Sequence, residues 1–239
     1  MIKFFRKIRQ NLLMENKTGK YFKYAFGEIV LVVIGILIAL QLNNWNENQK
    51  KRNFAKELIL DIKISLVNNY VSLNFVIDYN EEGIASAEML QKHLQSNLPY
   101  HDSLDIHFSK AIQYSTPILR NAGYESLKNY GLNFVQNDSL LKALDEVYNM
   151  GWIETLVFRQ ENYFFNTASP MLTELFETVA MRTNMKPFDY QALKKSRKYR
   201  SILNTMNEYR KDQNVWYLQN LGRLNKIEKM IDNRLDIDR

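Results

Sequence analysis

A chain of 239 residues that is 46% hydrophobic and 24% charged is long enough to bury a sizeable core and too apolar for wholesale disorder. The absence of cysteine excludes disulfide scaffolds, thiolate nucleophiles, zinc fingers and iron–sulfur centres, and three histidines leave little for metal or acid–base chemistry. Eight glycines and four prolines are far below ordinary usage, which disfavours turn-dense sandwiches and barrels and predicts an all-α fold.

The net charge of +6 is confined to one end. Residues 1–24 carry seven basic groups against the single acid Glu15, and the remainder of the chain is neutral. Within this tail, Ile2, Phe5, Ile8 and Leu12 recur at helical intervals beside Lys3, Arg6, Lys7 and Arg9, the pattern of an interfacial helix on anionic headgroups, although the topogenic role of a basic leader explains the same charges. An unbroken apolar run follows from Ile29 to Leu40, relieved only by Gly35 and Ala39. Its flanks hold interfacial anchors, Tyr21, Phe22 and Tyr24 before it and Trp45 after it. The 21 steps from Tyr24 to Trp45 cover roughly 31 Å as a helix, close to the thickness of a bilayer's hydrocarbon core. No small-residue cleavage pattern follows, so the segment reads as a retained anchor. Seven Lys/Arg precede the span and Lys50, Lys51 and Arg52 follow it, which predicts a cytoplasmic amino terminus and an exported carboxyl-terminal part. Glu28 lies just inside the expected span, where its side chain either reaches back to the cytoplasmic interface near Lys20 and Lys23 or meets another membrane helix, and Gly35 with Ala39 forms a small-residue pair of the kind that brings two such helices close.

Beyond Trp45, Phe54, Leu58, Ile62 and Leu66 recur every four residues, with Ile59, Tyr70 and Leu73 widening the stripe. The spacing predicts a helix running to about residue 95 with a kink at Gly83, after which Ile84, Ala87, Leu90 and Leu94 resume the apolar face. Thr116-Pro117 and Ser169-Pro170 each place a hydroxyl before a proline and are expected to open helices; Pro99 and Pro187 fall in connectors, the latter just before the capping Asp189. Asn137-Asp138-Ser139 opens a helix carrying Leu140, Leu144, Val147 and Tyr148, and Gly131 ends the one before. From Tyr190 to the end, Tyr217, Leu221, Leu224, Ile227, Ile231 and Leu235 hold a helical period. The expected organisation is a basic cytoplasmic tail (1–23), a transmembrane helix (24–45) and a periplasmic antiparallel helical bundle (46–239), its two long helices packed in coiled-coil fashion.

The run MIKFFRKIRQNLLMENKTGKY followed by YAFGEIVLVVIGILIALQLNNWNE resembles the amino-terminal signature of domain of unknown function family 6090, uncharacterised membrane-anchored bacterial proteins common in the Bacteroidota. GYESLKNYGLNFVQNDSLLKALDEVY at 123–148 is similar to that family's internal motif, with Gly123, Tyr124, Leu127 and Gly131 at matching, fold-defining positions. The resemblance implies an inner-membrane anchor in a Gram-negative envelope and a periplasmic helical domain, and it carries no catalytic residue with it.

Other constellations have plainer readings. His101, Asp102, Asp105 and His107 are spaced poorly for a metal, and Asp102 or Ser103 is expected to cap the helix containing Leu104, Phe108 and Ile112. KKSRKYR, with Lys194, Lys195, Arg197, Lys198 and Arg200, reads as a solvated face or as a patch for an anionic envelope partner, because export removes nucleic acid from reach. The aromatics, Phe158, Tyr163 and Phe164 among them, are expected in the core. No nucleophile elbow, phosphate loop or zinc-protease signature occurs, and no cofactor or metal is expected. Two functions fit: an interaction or scaffold module partnered by the bilayer and by an envelope protein or a second copy, and a small-molecule or envelope-state sensor acting through a partner. A hydrolase is third.

Overall fold

The computed structural model describes residues 18–130, 132–135, 137–149 and 151–237, and the chain divides into two compact units, Met1–Phe54 and Ala55–Arg239. The described residues form eight α-helices and no strand: α1 (Thr18–Gln95), α2 (Asp105–Lys110), α3 (Ala122–Tyr130), α4 (Asp138–Tyr148), α5 (Gly151–Tyr163), α6 (Ser169–Thr173), α7 (Tyr190–Lys195) and α8 (Arg197–Ile237). The all-α expectation therefore holds.

In the first unit, α1 contains a stretch of mean hydropathy 2.5, long and apolar enough to cross a membrane. Every large apolar side chain from Ile29 to Leu42 is exposed. A helix that is apolar all round and covered by nothing has the composition that lipid, rather than water, accommodates.

The second unit is organised by α8 lying antiparallel to the part of α1 beyond residue 54. Lys63 pairs with Asp232, Asn80 bonds Asn214 at 2.9 Å, and Gln91 bonds Asn204 at 2.7 Å, so the numbering climbs on one helix as it falls on the other. A row of buried positions runs along α1 through 55, 59, 62, 66, 69, 73, 76, 80, 83, 87, 90 and 94, alternating steps of four and three, with the buried Leu58, Ile77 and Ser86 beside it. A row on α8 follows the same rule from 199 through 203, 206, 210, 213, 217, 220, 224 and 227 to 231, with the buried Ile202, Asn207, Asn214 and Leu221 beside it. Such a row keeps one seam facing a partner along the whole helix, because its average period nearly matches the turn of an α-helix. The shorter helices α4, α5 and α6 pack on α8.

Two apolar cores result. One joins Leu58, Ile62, Leu66 and Leu73 of α1 to Leu127, Leu140, Leu144, Leu224 and Ile227. The other joins Ala87, Leu90 and Leu94 to Phe108, Leu172, Phe176, Leu193, Tyr199 and Leu203. Phe54 and Tyr70, expected in the first stripe, are instead 43% and 41% exposed, since they lie one position off the seam.

The termini of the short elements differ from expectation at three places. Thr116-Pro117 opens no helix; residues 113–121 form a strap along α1, where the Ile118 amide donates to Ser72 Oγ at 2.8 Å and Asn69 exchanges two bonds with the Arg120 backbone. Ser169-Pro170 does open α6 with the proline in its first turn, but Ala168 holds the cap position, no side-chain hydroxyl caps it, and the chain enters from helical backbone. The π turn Phe164–Ala168 links α5 to α6 and passes the Ser169 amide to Phe164 O, a widening that accommodates the donor missing at Pro170. His101, rather than Asp102 or Ser103, caps the turn Asp102–Leu104, its Nδ1 accepting from the Ser103 amide. Asn137 and Asp189 cap α4 and α7 as their sequence positions predict. Gly131 lies outside the described residues.

Gly83 lies within an uninterrupted α1 and serves as a seat. A Cβ there would stand 2.7 Å from Arg210 Nε, 2.9 Å from its Cζ and 3.1 Å from Lys110 O. Gly83→Ala is expected to destabilise the fold by roughly 1–3 kcal/mol through overpacking, whereas Gly222→Ala, with no atom within 4 Å of the new Cβ, should stabilise α8 by about 0.5–1 kcal/mol. Denaturant melts of the two variants measure this opposition in sign.

Candidate functional site

The two cores are separated by a polar layer. Arg210 is fully buried, and its guanidinium donates to Ala111 O (2.7 Å), Gln113 O (2.8 Å) and Asn207 Oδ1 (2.9 Å). Burial brings its pKa down to about 9, so the cation persists at neutral pH. Asn80 continues the layer to Gln213 and Asn214, and Gln213 donates to Gln160 at 2.7 Å. The Gln113 amide reaches Tyr79 O at 2.9 Å and ties the strap to α1. This layer is structural in geometry: two main-chain carbonyls and one side-chain amide oxygen take up the guanidinium, and Gly83 closes the remaining approach to it.

A polar cleft of about 490 Å³ opens between α3, α4 and the start of α5, lined by Asn121, Tyr124, Glu125, Lys128, Asp145, Tyr148, Asn149, Gly151 and Glu154. Gly123 brings α3 against α1, since a Cβ there would lie 3.2 Å from both Ile62 N and Ile62 Cγ1. That contact sets Tyr124 at the cleft floor, where its ring stacks on Tyr148 at 5.1 Å and its hydroxyl donates to Asp145 Oδ1 at 3.0 Å. Burial first, and the Asp145 carboxylate second, push the Tyr124 pKa up to about 12. Burial also raises Tyr148, to about 12. Lys128 reaches Glu125 at 3.7 Å and stands 5.8 Å over the Tyr124 ring. Three carboxylates against one ammonium make the cleft suited to a small, polar, cationic ligand. Leu127 points into the first core.

A third feature is apolar. On the outer face of α1, Leu60, Ile64, Val67, Val71 and Phe75 are between 45% and 64% exposed, and Val215 and Leu218 of α8 are 54% and 56% exposed. A groove of about 190 Å³ runs between the helices here, lined by Leu66, Val67, Tyr70, Val71, Leu224, Asn225 and Glu228. Leu218 shares its face of α8 with Asn225, seven residues on. The seam is covered by short helices elsewhere, and this flank of the pair is bare.

The residues singled out from the sequence are placed as follows. Lys194, Lys195, Arg197, Lys198 and Arg200 surround the break at Ser196 between α7 and α8. Lys195, Arg197, Lys198 and Arg200 are exposed, while Lys194 is held by Asn97 Oδ1 at 2.6 Å and lies over the Tyr190 ring. The HDSLDIH residues diverge: Asp105 accepts from the Tyr100 hydroxyl, and His107 Nδ1 meets Ser86 Oγ at 3.1 Å with its pKa lowered by burial and by Lys110. Among the described residues no three or more carboxylate or imidazole groups gather to hold a metal. Trp45 is exposed, Gly35 has no atom within 4 Å of a would-be Cβ, Ala39 is exposed one turn later, and Glu28 is half-buried. The side chains of Tyr21 and Tyr24 lie outside the described residues. Phe164 is buried as expected, whereas Phe158 is 69% exposed.

Sequence reasoning missed Arg210, Asn80 and Gln213, although the signal was present: the three-and-four spacing of α8 passes through 210, 213 and 220 without a break. It also missed the pairing of Tyr124 with Asp145, which no spacing rule brings together across 21 residues.

The fold and its apolar first unit define an all-α protein in which, among the described residues, one helix near the amino terminus is long and apolar enough to cross a membrane. A family model matches residues 28–190, more than half of the chain, and the protein belongs to that family, the family of unknown function DUF6090. No curated protein and no solved structure matches the chain. The matched region contains the polar cleft and the outer row of α1.

Tyr124→Phe should cost about 1 kcal/mol by leaving Asp145 without its donor. The wild-type hydroxyl titrates near 10 when unfolded and near 12 when folded, so the folded state retains the proton over that interval and loses this contribution as pH rises through it. Melts between pH 9 and pH 12 should therefore show a shallower alkaline decline in Tyr124→Phe than in the wild type.

Proposed function

We propose that this protein is a membrane-anchored interaction module: α1 crosses the inner membrane of a bacterial envelope, the basic tail stays in the cytoplasm, and the unit from Ala55 stands in the periplasm and docks another polypeptide. The observation that carries this reading is the bare apolar flank of the α1–α8 pair, since soluble monomers seldom expose so continuous a row of large side chains. The asymmetry of basic residues around the span supports the orientation. The cations around Ser196 give the same unit a surface complementary to anionic envelope components. The role is that of a scaffold rather than a catalyst.

A second reading, a small-molecule sensor acting through a partner, is favoured by the polar cleft at Tyr124 and Asp145. Thermal-shift measurements on the full chain in nanodiscs separate the two: a sensor requires specific stabilisation by a small cationic compound, lost in Asp145→Asn, and a scaffold does not.

The topology is tested by a carboxyl-terminal reporter that is active only outside the cytoplasm. Fused after Arg239 it should be active, and a reporter that works only in the cytoplasm should be silent. The reverse pattern would contradict the reading.

A further inference from the structure

We infer that the occupant of the bare α1–α8 flank is the same flank of a second copy of this chain, each protomer supplying two helices to an intermolecular four-helix layer. The inference rests on the anchored-module reading and adds the identity of the partner.

Shape is the first argument. Leu60, Ile64, Val67 and Val71 follow steps of four, three and four, which set them in one row along α1, and all four are exposed. The groove beside the row, lined by Val67, Val71 and Leu224, takes one ridge of a helix with that same spacing. The row on α1 is such a ridge, so the flank is complementary to itself, as a twofold interface demands.

Area is the second. From Leu60 to Phe75 the row extends about 22 Å at the helical rise of about 1.5 Å per residue. Its exposed side chains make an apolar strip of roughly a few hundred Å², in the range of the largest patches that monomers ordinarily carry. Counted on both partners and bordered by a polar rim, it reaches the lower end of the roughly 1,200–2,000 Å² range of stable complexes.

Geometry and charge narrow the occupant to a copy. Chains held by one span share one orientation and are concentrated in a plane, so a shallow interface is populated at low expression and a twofold axis along the membrane normal closes the assembly. The exposed acids Glu57 and Asp78 stand beyond the two ends of the row, Lys63 is already paired with Asp232, and Glu228 is the one charged residue lining the groove, half-exposed so that its carboxylate can reach solvent past a docked ridge. Two identical flanks therefore meet without stranding a charge between them.

The test uses the full chain in lipid nanodiscs, with step photobleaching of a carboxyl-terminal fluorophore. The wild type should bleach in two steps, and the double variant Val67→Glu, Val71→Glu in one, with the helical content of the wild type retained because both side chains are solvent-exposed within a single protomer. The cysteine-free chain permits a second arm: under a mild oxidant in native membranes, Val67→Cys should give a disulfide dimer and Lys142→Cys, exposed on α4, should not. A monomeric wild type overturns the inference, as does a dimer that survives both glutamates or cross-links equally well at residue 142. Cross-linking of Val67→Cys to a different polypeptide overturns self-association and leaves the anchored module standing. Recovery of a water-soluble chain lacking the apolar helix overturns both.

Discussion

The antiparallel seam of α1 and α8, interrupted once by a buried guanidinium, is the constraint on which the second unit depends. Among the described residues Arg210 has no carboxylate partner; it is held by two main-chain carbonyls and the Asn207 amide oxygen. Desolvating such a cation costs several kcal/mol, and its hydrogen bonds offset that cost only in part, because the buried Nε has no hydrogen-bond partner among the described residues. The layer therefore adds little net stability and much definition. A one-heptad slip of α8 would set Tyr217 or Leu203 against Gly83 and bury the guanidinium among apolar side chains, so a single register satisfies both the glycine and the arginine.

The same constraint shapes the surface. Each helix spends one seam on its neighbour, the strap 113–121 occupies one side of α1, and the short helices cover α8. What remains is the outer row from Leu60 to Phe75, left apolar although it faces away from both cores. Two apolar rows on one helix, one buried within the unit and one not, are the arrangement of a helix that serves two packing partners. The polar cleft is separate in origin: Gly123 lets α3 approach α1, and that approach stacks Tyr124 on Tyr148 and turns its hydroxyl to Asp145.

Much of the fold was legible because helical periodicity is a local signal. The end of α1 at Gln95, the caps Asn137 and Asp189, and the buried Tyr217, Leu221, Leu224, Ile227 and Ile231 all follow from residue spacing. The apolar helix of the first unit was legible for the same reason. Proline punctuation was less dependable. Pro117 lies in an extended strap held by Asn69 and Ser72 from α1, and Pro170 opens α6 out of a π turn rather than behind a capping hydroxyl, so in both cases tertiary contacts or backbone adjustment prevailed over the local preference. The sites were the least legible, because Arg210 with Gly83 and Tyr124 with Asp145 are long-range pairs. Phe54 and Tyr70 show a further limit of periodicity: a helix stripe wide enough for a core also includes side chains that the seam leaves outside.

The central claim is the antiparallel register of α1 and α8, and paired spin labels measure it directly. In the cysteine-free chain, labels at Gln91 and Asn204, and separately at Lys63 and Asp232, should each give a short, narrow distance distribution, while labels at Gln91 and Asp232 should be separated by roughly 28 residues of helix, about 42 Å. A short distance between Gln91 and Asp232, or a long one for either of the first two pairs, would contradict the register.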